Sequence, residues 1–180
     1  MDTAGDTLWT STVGGVDKER SETIIEAANG DLVLLGETAS FGAGGDDFYL
    51  VRLTATGDTI FTKTYGGPGT EGPGGLVETL DGGFFITGST QDFGAFISGC
   101  YMVRTNSMGD TLWTHMYPGI STSWGRGSVQ VDANNYVVAG STVDFFMSAN
   151  ADFYLMKYNR CTQSTSTNIL SVCDSLLSPS

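Results

Sequence analysis

Gly5-Asp6-Thr7-Leu8-Trp9-Thr10 returns unchanged as Gly109-Asp110-Thr111-Leu112-Trp113-Thr114, and in altered form as Gly57-Asp58-Thr59-Ile60-Phe61-Thr62 midway between them. The spacing is 52 residues in both steps. Self-similarity at a period of this size marks a chain built from one supersecondary unit used several times.

The register holds well beyond this stretch. Ile24-Ile25-Glu26-Ala27 matches Leu76-Val77-Glu78-Thr79 and Ser128-Val129-Gln130-Val131. Turn residues follow each time: Asn29-Gly30-Asp31, Asp81-Gly82-Gly83 and Asp132-Ala133-Asn134-Asn135. Gly and Asn tolerate the positive φ that tight hairpins demand. Next come Leu32–Thr38, Phe84–Thr90 and Tyr136–Thr142, β-branched and aromatic runs that reach Gly36, Gly88 and Gly140 at the same point. Such runs have strand length and strand composition. A third strand is expected at Phe48–Arg52, Cys100–Arg104 and Phe153–Lys157, carrying Tyr49, Tyr101 and Tyr154. The Gly-Asp-Thr stretch is then the fourth strand, with Trp9, Phe61 and Trp113 as aromatic packing between units. No segment has a 3.6-residue apolar period, so the fold class is all-β.

Several strands are apolar on both sides, as a sheet covered on both faces requires. Four-stranded antiparallel units near 50 residues, each covered by its neighbours, describe the blades of a β-propeller. A β-solenoid or a β-sandwich array is the alternative. Residues 1-158 form three blade units, near 1-52, 53-104 and 105-158, and 159-180 form a Ser/Thr-rich tail that resembles the start of a following module. In strand order, the chain opens on a fourth strand, continues through two whole units and ends with three strands, twelve in all. Three blades fall below the usual four to eight. An open arc of a larger propeller is therefore expected, with missing blades or self-association completing it. The other arrangement pairs the N-terminal strand with the last three. Met1 aligns with Leu53 and Thr105, so the chain is expected to be a fragment, and its lack of a signal peptide then carries no information on location.

Composition narrows the partners. Hydrophobic residues make up 40% of the chain, enough for a packed core. With 20 acids against 8 basic residues and a net charge of -12, no basic face is available for a nucleic-acid backbone or an anionic membrane. No run approaches the roughly 20 apolar residues of a membrane helix. Cys100 aligns with Phe48 and Phe153 and reads as a buried strand thiol. Cys161 and Cys173 lie in the tail, and a disulfide between them stays open.

No catalytic residue is assigned. His115 stands where Ser11 and Lys63 stand, so it reads as solvent-facing. Trp124 differs, because its counterparts are Arg20 and Gly72. A non-repeated aromatic in a Gly/Ser setting is a candidate for recognition. Glu26, Glu78 and Gln130 share one position and are the other candidates. They either ring a channel as a cation site, or are solvated at a blade rim or paired with a nearby basic residue, Arg52, Arg104 and Lys157 sharing one position at the end of the third strand. No cofactor is expected. Calcium is the one metal weighed, there or at Asp6, Asp58 and Asp110, whose loops lack the alternating acids of a calcium site. Those Asp side chains are expected to bond turn backbone. The Gly66-Gly67-Pro68-Gly69 loop precedes no helix and reads as a link between blades, not a phosphate cradle.

Gly-Asp-Thr-Leu-Trp-Thr, the Tyr65-Gly66-Gly67 link, Asp81-Gly82-Gly83-Phe84-Phe85-Ile86-Thr87-Gly88-Ser89-Thr90 and Asp47-Phe48-Tyr49-Leu50-Val51-Arg52 together resemble the roughly 50-residue propeller repeat of large secreted proteins of Bacteroidetes-type bacteria. The resemblance covers residues 1 to about 158 and departs at Phe61, at Gly99-Cys100 and at Tyr117-Pro118-Gly119. It implies a secreted or cell-surface multidomain protein. The expected function is a non-catalytic scaffold or recognition segment for protein or glycan. A purely structural spacer and a part of a propeller hydrolase or lyase with its active site elsewhere are the alternatives.

Overall fold

The structure is a computed structural model that describes residues 5–95, 97–117, 122–143 and 151–159. Three antiparallel sheets follow one another along the chain, with no helix among the described residues. The first joins β1 (Glu19–Glu26), β2 (Leu32–Thr38), β3 (Asp47–Leu53) and β4 (Thr59–Tyr65) in sequence order. The second joins β5 (Glu71–Glu78), β6 (Phe84–Thr90), β7 (Gly99–Thr105) and β8 (Thr111–Tyr117) in the same way. The third holds β9 (Thr122–Gln130), β10 (Asn135–Val143) and β11 (Ala151–Asn159). Within the described residues no sheet closes on itself. Phe145, Cys161, Cys173 and the tail lie outside the described residues.

Turn chemistry sets these hairpins. Gly30 and Gly82 take φ of +85° and +77° between the first two strands of their sheets, and Gly57 and Gly109 take +89° and +76° between the last two. Those conformations favour glycine over any residue with a Cβ. The third sheet has no glycine in its first hairpin. There the Asp132 carboxylate accepts the backbone N–H groups of Asn134 and Asn135 at 2.9 and 3.0 Å.

Alternation along each strand divides the apolar residues between two faces. Ile25, Val33, Leu35, Phe48 and Leu50 of the first sheet pack on Phe84, Ile86, Tyr101 and Val103 of the second. The reverse face of the second, with Val77, Phe85, Cys100 and Met102, packs on Tyr136, Val138 and Met156 of the third. The middle sheet is thus covered on both sides, which is why its strands read as continuous apolar runs. The sheets approach most closely along their first strands, β1 with β5 and β5 with β9.

The glycines shared by all units have one physical cause. Each first strand carries a bulge: Glu22 is extra between Ser21 and Thr23, Gly74 between Pro73 and Gly75, and Arg126 between Gly125 and Gly127. The bulged backbone crowds the facing second strand. A Cβ on Gly36, Gly88 or Gly140 would overlap the carbonyl oxygen of Arg20, Gly72 or Trp124 respectively.

Two expectations need correction. Residues 5–15 form no strand, so the described residues hold eleven strands instead of twelve. Among the described residues no strand pairs with them. They nonetheless lie against the outer face of the first sheet, where Val13 packs on Tyr49, Val51 and Leu53. Trp9 is therefore 42% exposed and not buried. Its ring still rests on Gly57, as the Phe61 ring rests on Gly109 one unit later. Trp113 lies between the second and third sheets, its ring 5.8 Å from Phe85, 5.9 Å from Tyr136 and 5.2 Å from Tyr158.

Candidate functional site

The bulges also build a cleft. A bulge re-aims the side chains beside it. In the first sheet these are Arg20 and Glu22, and in the third Trp124 and Arg126. In the middle sheet the same positions are Gly72 and Gly74, which have no side chains to fill the space. The result is an open cleft of about 200 Å³ floored by Gly72 and Pro73, with Arg20, Glu22 and Glu37 on one side and Trp124, Gly125 and Arg126 on the other. Ser89 completes it.

One wall is internally compensated. Arg20 lies 3.5 Å from Glu37 and 3.8 Å from Glu22, and Lys18 lies 3.2 Å from Glu37. Arg126 is exposed, and among the described residues no ion pair reaches it. The half-buried Trp124 lines the cleft beside it. No cysteine or histidine lines the cleft. An indole plane with a guanidinium on one side and an Arg–Glu pair opposite can stack on a flat or ring-shaped ligand and hold its hydroxyl or carboxylate groups.

The other sequence candidates lie apart from it. Glu78 at the end of β5 accepts the backbone N–H of Ala28 at 2.7 Å, across the sheet boundary. Gln130 at the end of β9 does the same for Leu80 at 2.8 Å. Glu26, their counterpart, is exposed. The expected pairing with Arg52 and Arg104 is corrected. Arg52 instead bridges Asp31 at 2.8 Å and donates to the Ser107 carbonyl at 2.8 Å, and Arg104 bridges Asp81. A hairpin aspartate of its own sheet takes up each arginine, whereas Glu78 and Gln130 reach across to the hairpin of the preceding sheet.

The Gly-Asp-Thr aspartates also act differently from expectation. The Thr54 hydroxyl and the side-chain amide oxygen of Asn106 accept the backbone N–H of Asp58 and Asp110 at 3.1 and 2.9 Å. The carboxylates bind side chains: Thr56 at 2.9 Å for Asp58, and Lys63 at 2.9 Å for Asp110. His115 is exposed, its ring 5.2 Å from Tyr158. Cys100 is fully buried, and burial pushes its thiol up to about 12. That chemistry is inert packing, not nucleophilic attack.

A buried acid that sequence reasoning passed over stands at the link between the first two sheets. Glu71 is fully buried, accepts the Gly67 N–H at 2.9 Å and bonds the Thr90 hydroxyl. Burial lifts its carboxyl to about 7, and neighbouring Asp92 and Asp47 add to the lift. Asp47 is also buried, with no partner among the described residues for its Oδ1. A proton on Glu71 supplies that partner. The signal for a structural role is the repeat itself: Glu19 accepts the Thr38 hydroxyl at 2.8 Å and the Gly15 N–H at 3.1 Å in the preceding unit. Among the described residues, no group of three or more His, Cys, Asp or Glu is arranged to hold a metal ion.

The chain matches no protein-family model and no curated protein.

Proposed function

We propose that this chain is a segment of a β-propeller in a secreted or cell-surface protein, and that it is a non-catalytic scaffold which recognises a glycan at the Trp124 cleft. Up-and-down antiparallel sheets, stacked face to face and nearest along their first strands, support the blade reading. The resemblance of the repeat to those of secreted bacterial propellers supports the location. Fold alone says nothing of activity, so the function rests on the cleft.

The carrying observation is that the repeat breaks where the cleft forms. Positions that hold one residue type throughout serve packing. Arg20, Gly72 and Trp124 share one position and are unlike, as are Glu22, Gly74 and Arg126. An aromatic face for a sugar ring and charged forks for its hydroxyls are brought together there.

A glycan array probed with the purified chain, beside Trp124→Ala and Arg126→Ala, tests this reading. Binding to a defined set of glycans that falls about tenfold or more in Trp124→Ala is expected, the scale of one lost aromatic anchor. Glycan binding that is absent from the wild type, or untouched by both variants, removes the cleft as the site.

A further inference from the structure

The repeat predicts what should cover each sheet face; among the described residues the outer face of the third sheet is open, and that of the first is covered only in part, where Val13 lies on Tyr49, Val51 and Leu53. Phe48 and Leu50 in the first sheet, and Cys100 and Met102 in the second, are fully buried against the sheet that follows. Their counterparts in the third sheet, Phe153 and Leu155, are 89% and 68% exposed. Val129, at the position of Ile25 and Val77, is also exposed. At the opposite end, Ile24 is exposed on the first sheet, whereas its counterpart Leu76 is packed in the core between the first two sheets. One face therefore has the composition of a surface that packs on a following sheet. The other has that of a surface that receives a preceding one.

The polar contacts are complementary in the same way. Glu78 and Gln130 each clasp the hairpin N–H of the preceding sheet. Glu26, at the same position, clasps no hairpin among the described residues. Asp132 stands in the last hairpin at the position of Ala28 and Leu80, and among the described residues its backbone N–H makes only a long 3.4 Å contact to the Asn135 carbonyl. Residues 5–13 fit as well. Trp9 lies on Gly57 as Phe61 lies on Gly109, so they occupy the place of a fourth strand without the other three. Among the described residues the third sheet has three strands, with β11 at its edge.

We propose that two copies of this chain associate head to tail. The β9–β11 sheet of one copy seats on the outer face of the β1–β4 sheet of the next, as β1–β4 seats on β5–β8 within the chain. Glu26 of the receiving copy accepts the Asp132 N–H of the first. Residues 5–13 of the receiving copy add as a fourth strand along β11, a form of strand addition at an open edge. The register follows from β3 with β4, where Phe48 faces Tyr65 and Arg52 faces Phe61. It sets Val13 opposite Phe153 and Trp9 opposite Lys157. Such an interface is heterologous: the two surfaces differ, and each copy keeps one of each. The inference rests on the stacking of the sheets and not on the Trp124 cleft, so glycan binding and association succeed or fail separately.

The test is made on the full chain by light scattering and sedimentation. The wild type is expected to have a mass above the monomer that rises with concentration. Phe153→Asp/Leu155→Asp removes one surface and Ile24→Asp/Glu26→Arg the other, and each variant is expected to be monomeric. All four side chains are exposed, so circular dichroism of both variants should match the wild type. Mixing the two variants should restore a dimer, because each retains the surface the other lacks. Should either double variant misfold, Glu26→Arg alone is expected to weaken association about tenfold, the scale of one lost charged hydrogen bond. A monomeric wild type overturns the proposal, whether the chain closes on itself or its tail covers the face. A mixture that stays monomeric overturns it too, as does association that survives either change, which marks contact through another surface.

Discussion

The side-chain oxygen of Gln130 accepts the backbone N–H of Leu80 at 2.8 Å, from the last residue of β9 to the first hairpin of the sheet before. Glu78 makes the same contact with Ala28. The two contacts need an acceptor and not a charge, which is why an acid and an amide share the position. A hairpin N–H left bare by sheet stacking finds a partner in the incoming strand end.

Glu78→Gln should therefore change stability by less than about 0.5 kcal/mol, because the acceptor stays. Glu78→Ala should cost about 1 kcal/mol, the worth of one such bond. Urea denaturation distinguishes the two. Equal losses would show that the charge, and not the acceptor, is what matters.

Gly88→Ala and Gly140→Ala should each destabilise the fold by about 2–3 kcal/mol through overpacking. The new Cβ would overlap the Gly72 or the Trp124 carbonyl oxygen, and backbone cannot swing aside as a side chain does. Gly127→Ala is the control, since nothing lies within 4 Å of the added atom. A thermal midpoint equal to wild type for Gly140→Ala would remove the bulge as the reason for that glycine.

Trp113 and Trp9 are identical in sequence setting and should differ in weight. Trp113→Ala should cost about 3 kcal/mol, as loss of a large packed aromatic does, because its ring has Phe85, Tyr136 and Tyr158 around it. Trp9→Ala should cost under about 1 kcal/mol in the monomer, as surface changes do. Chemical denaturation in dilute solution measures both, and equal values would place Trp9 in the core.

Glu71 gives stability an unusual dependence on pH. Burial lifts its carboxyl to about 7 in the folded chain, against 4.5 when unperturbed. Between those values the folded state holds a proton that the unfolded state has lost. Its contribution is full below about pH 4.5 and is lost as pH rises through about 7. Asp110, held low by Lys63, and Asp132, held low by the Asn134 and Asn135 N–H groups, act in the opposite sense. What they contribute is lost only as pH falls below the usual carboxylate range. The denaturation midpoint should thus fall between about pH 5 and pH 8, and Glu71→Gln should flatten that slope and be the more stable form at pH 8. A slope that survives in Glu71→Gln would assign it to another group.

The arrangement of strands was legible because it depends on local chemistry. Alternating apolar residues place a strand, and Gly30, Gly57, Gly82 and Gly109 place its turns. A period of 52 residues repeats the same local solution, so the order of four, four and three strands follows from sequence alone. Cys100 was legible as a buried thiol because Phe48 and Phe153 share its position. Trp124 stood out as a non-repeated aromatic in a Gly/Ser setting, with Arg20 and Gly72 at its position.

Tertiary structure decided the rest. A bulge leaves no residue signature, so nothing in the sequence joined Arg126 to Glu22 or opened the cleft at Gly72. Gly36, Gly88 and Gly140 were visible as a repeated feature, but their cause is a carbonyl oxygen on another strand. Arg52 and Glu26 lie at neighbouring strand ends, and only the hairpin geometry sends the arginine to Asp31. Trp9 and Trp113 have the same six-residue setting, and the difference between them is what lies on the other side. Sequence fixes which side chains a strand offers to each face; burial depends on whether a neighbouring sheet stands there to cover them.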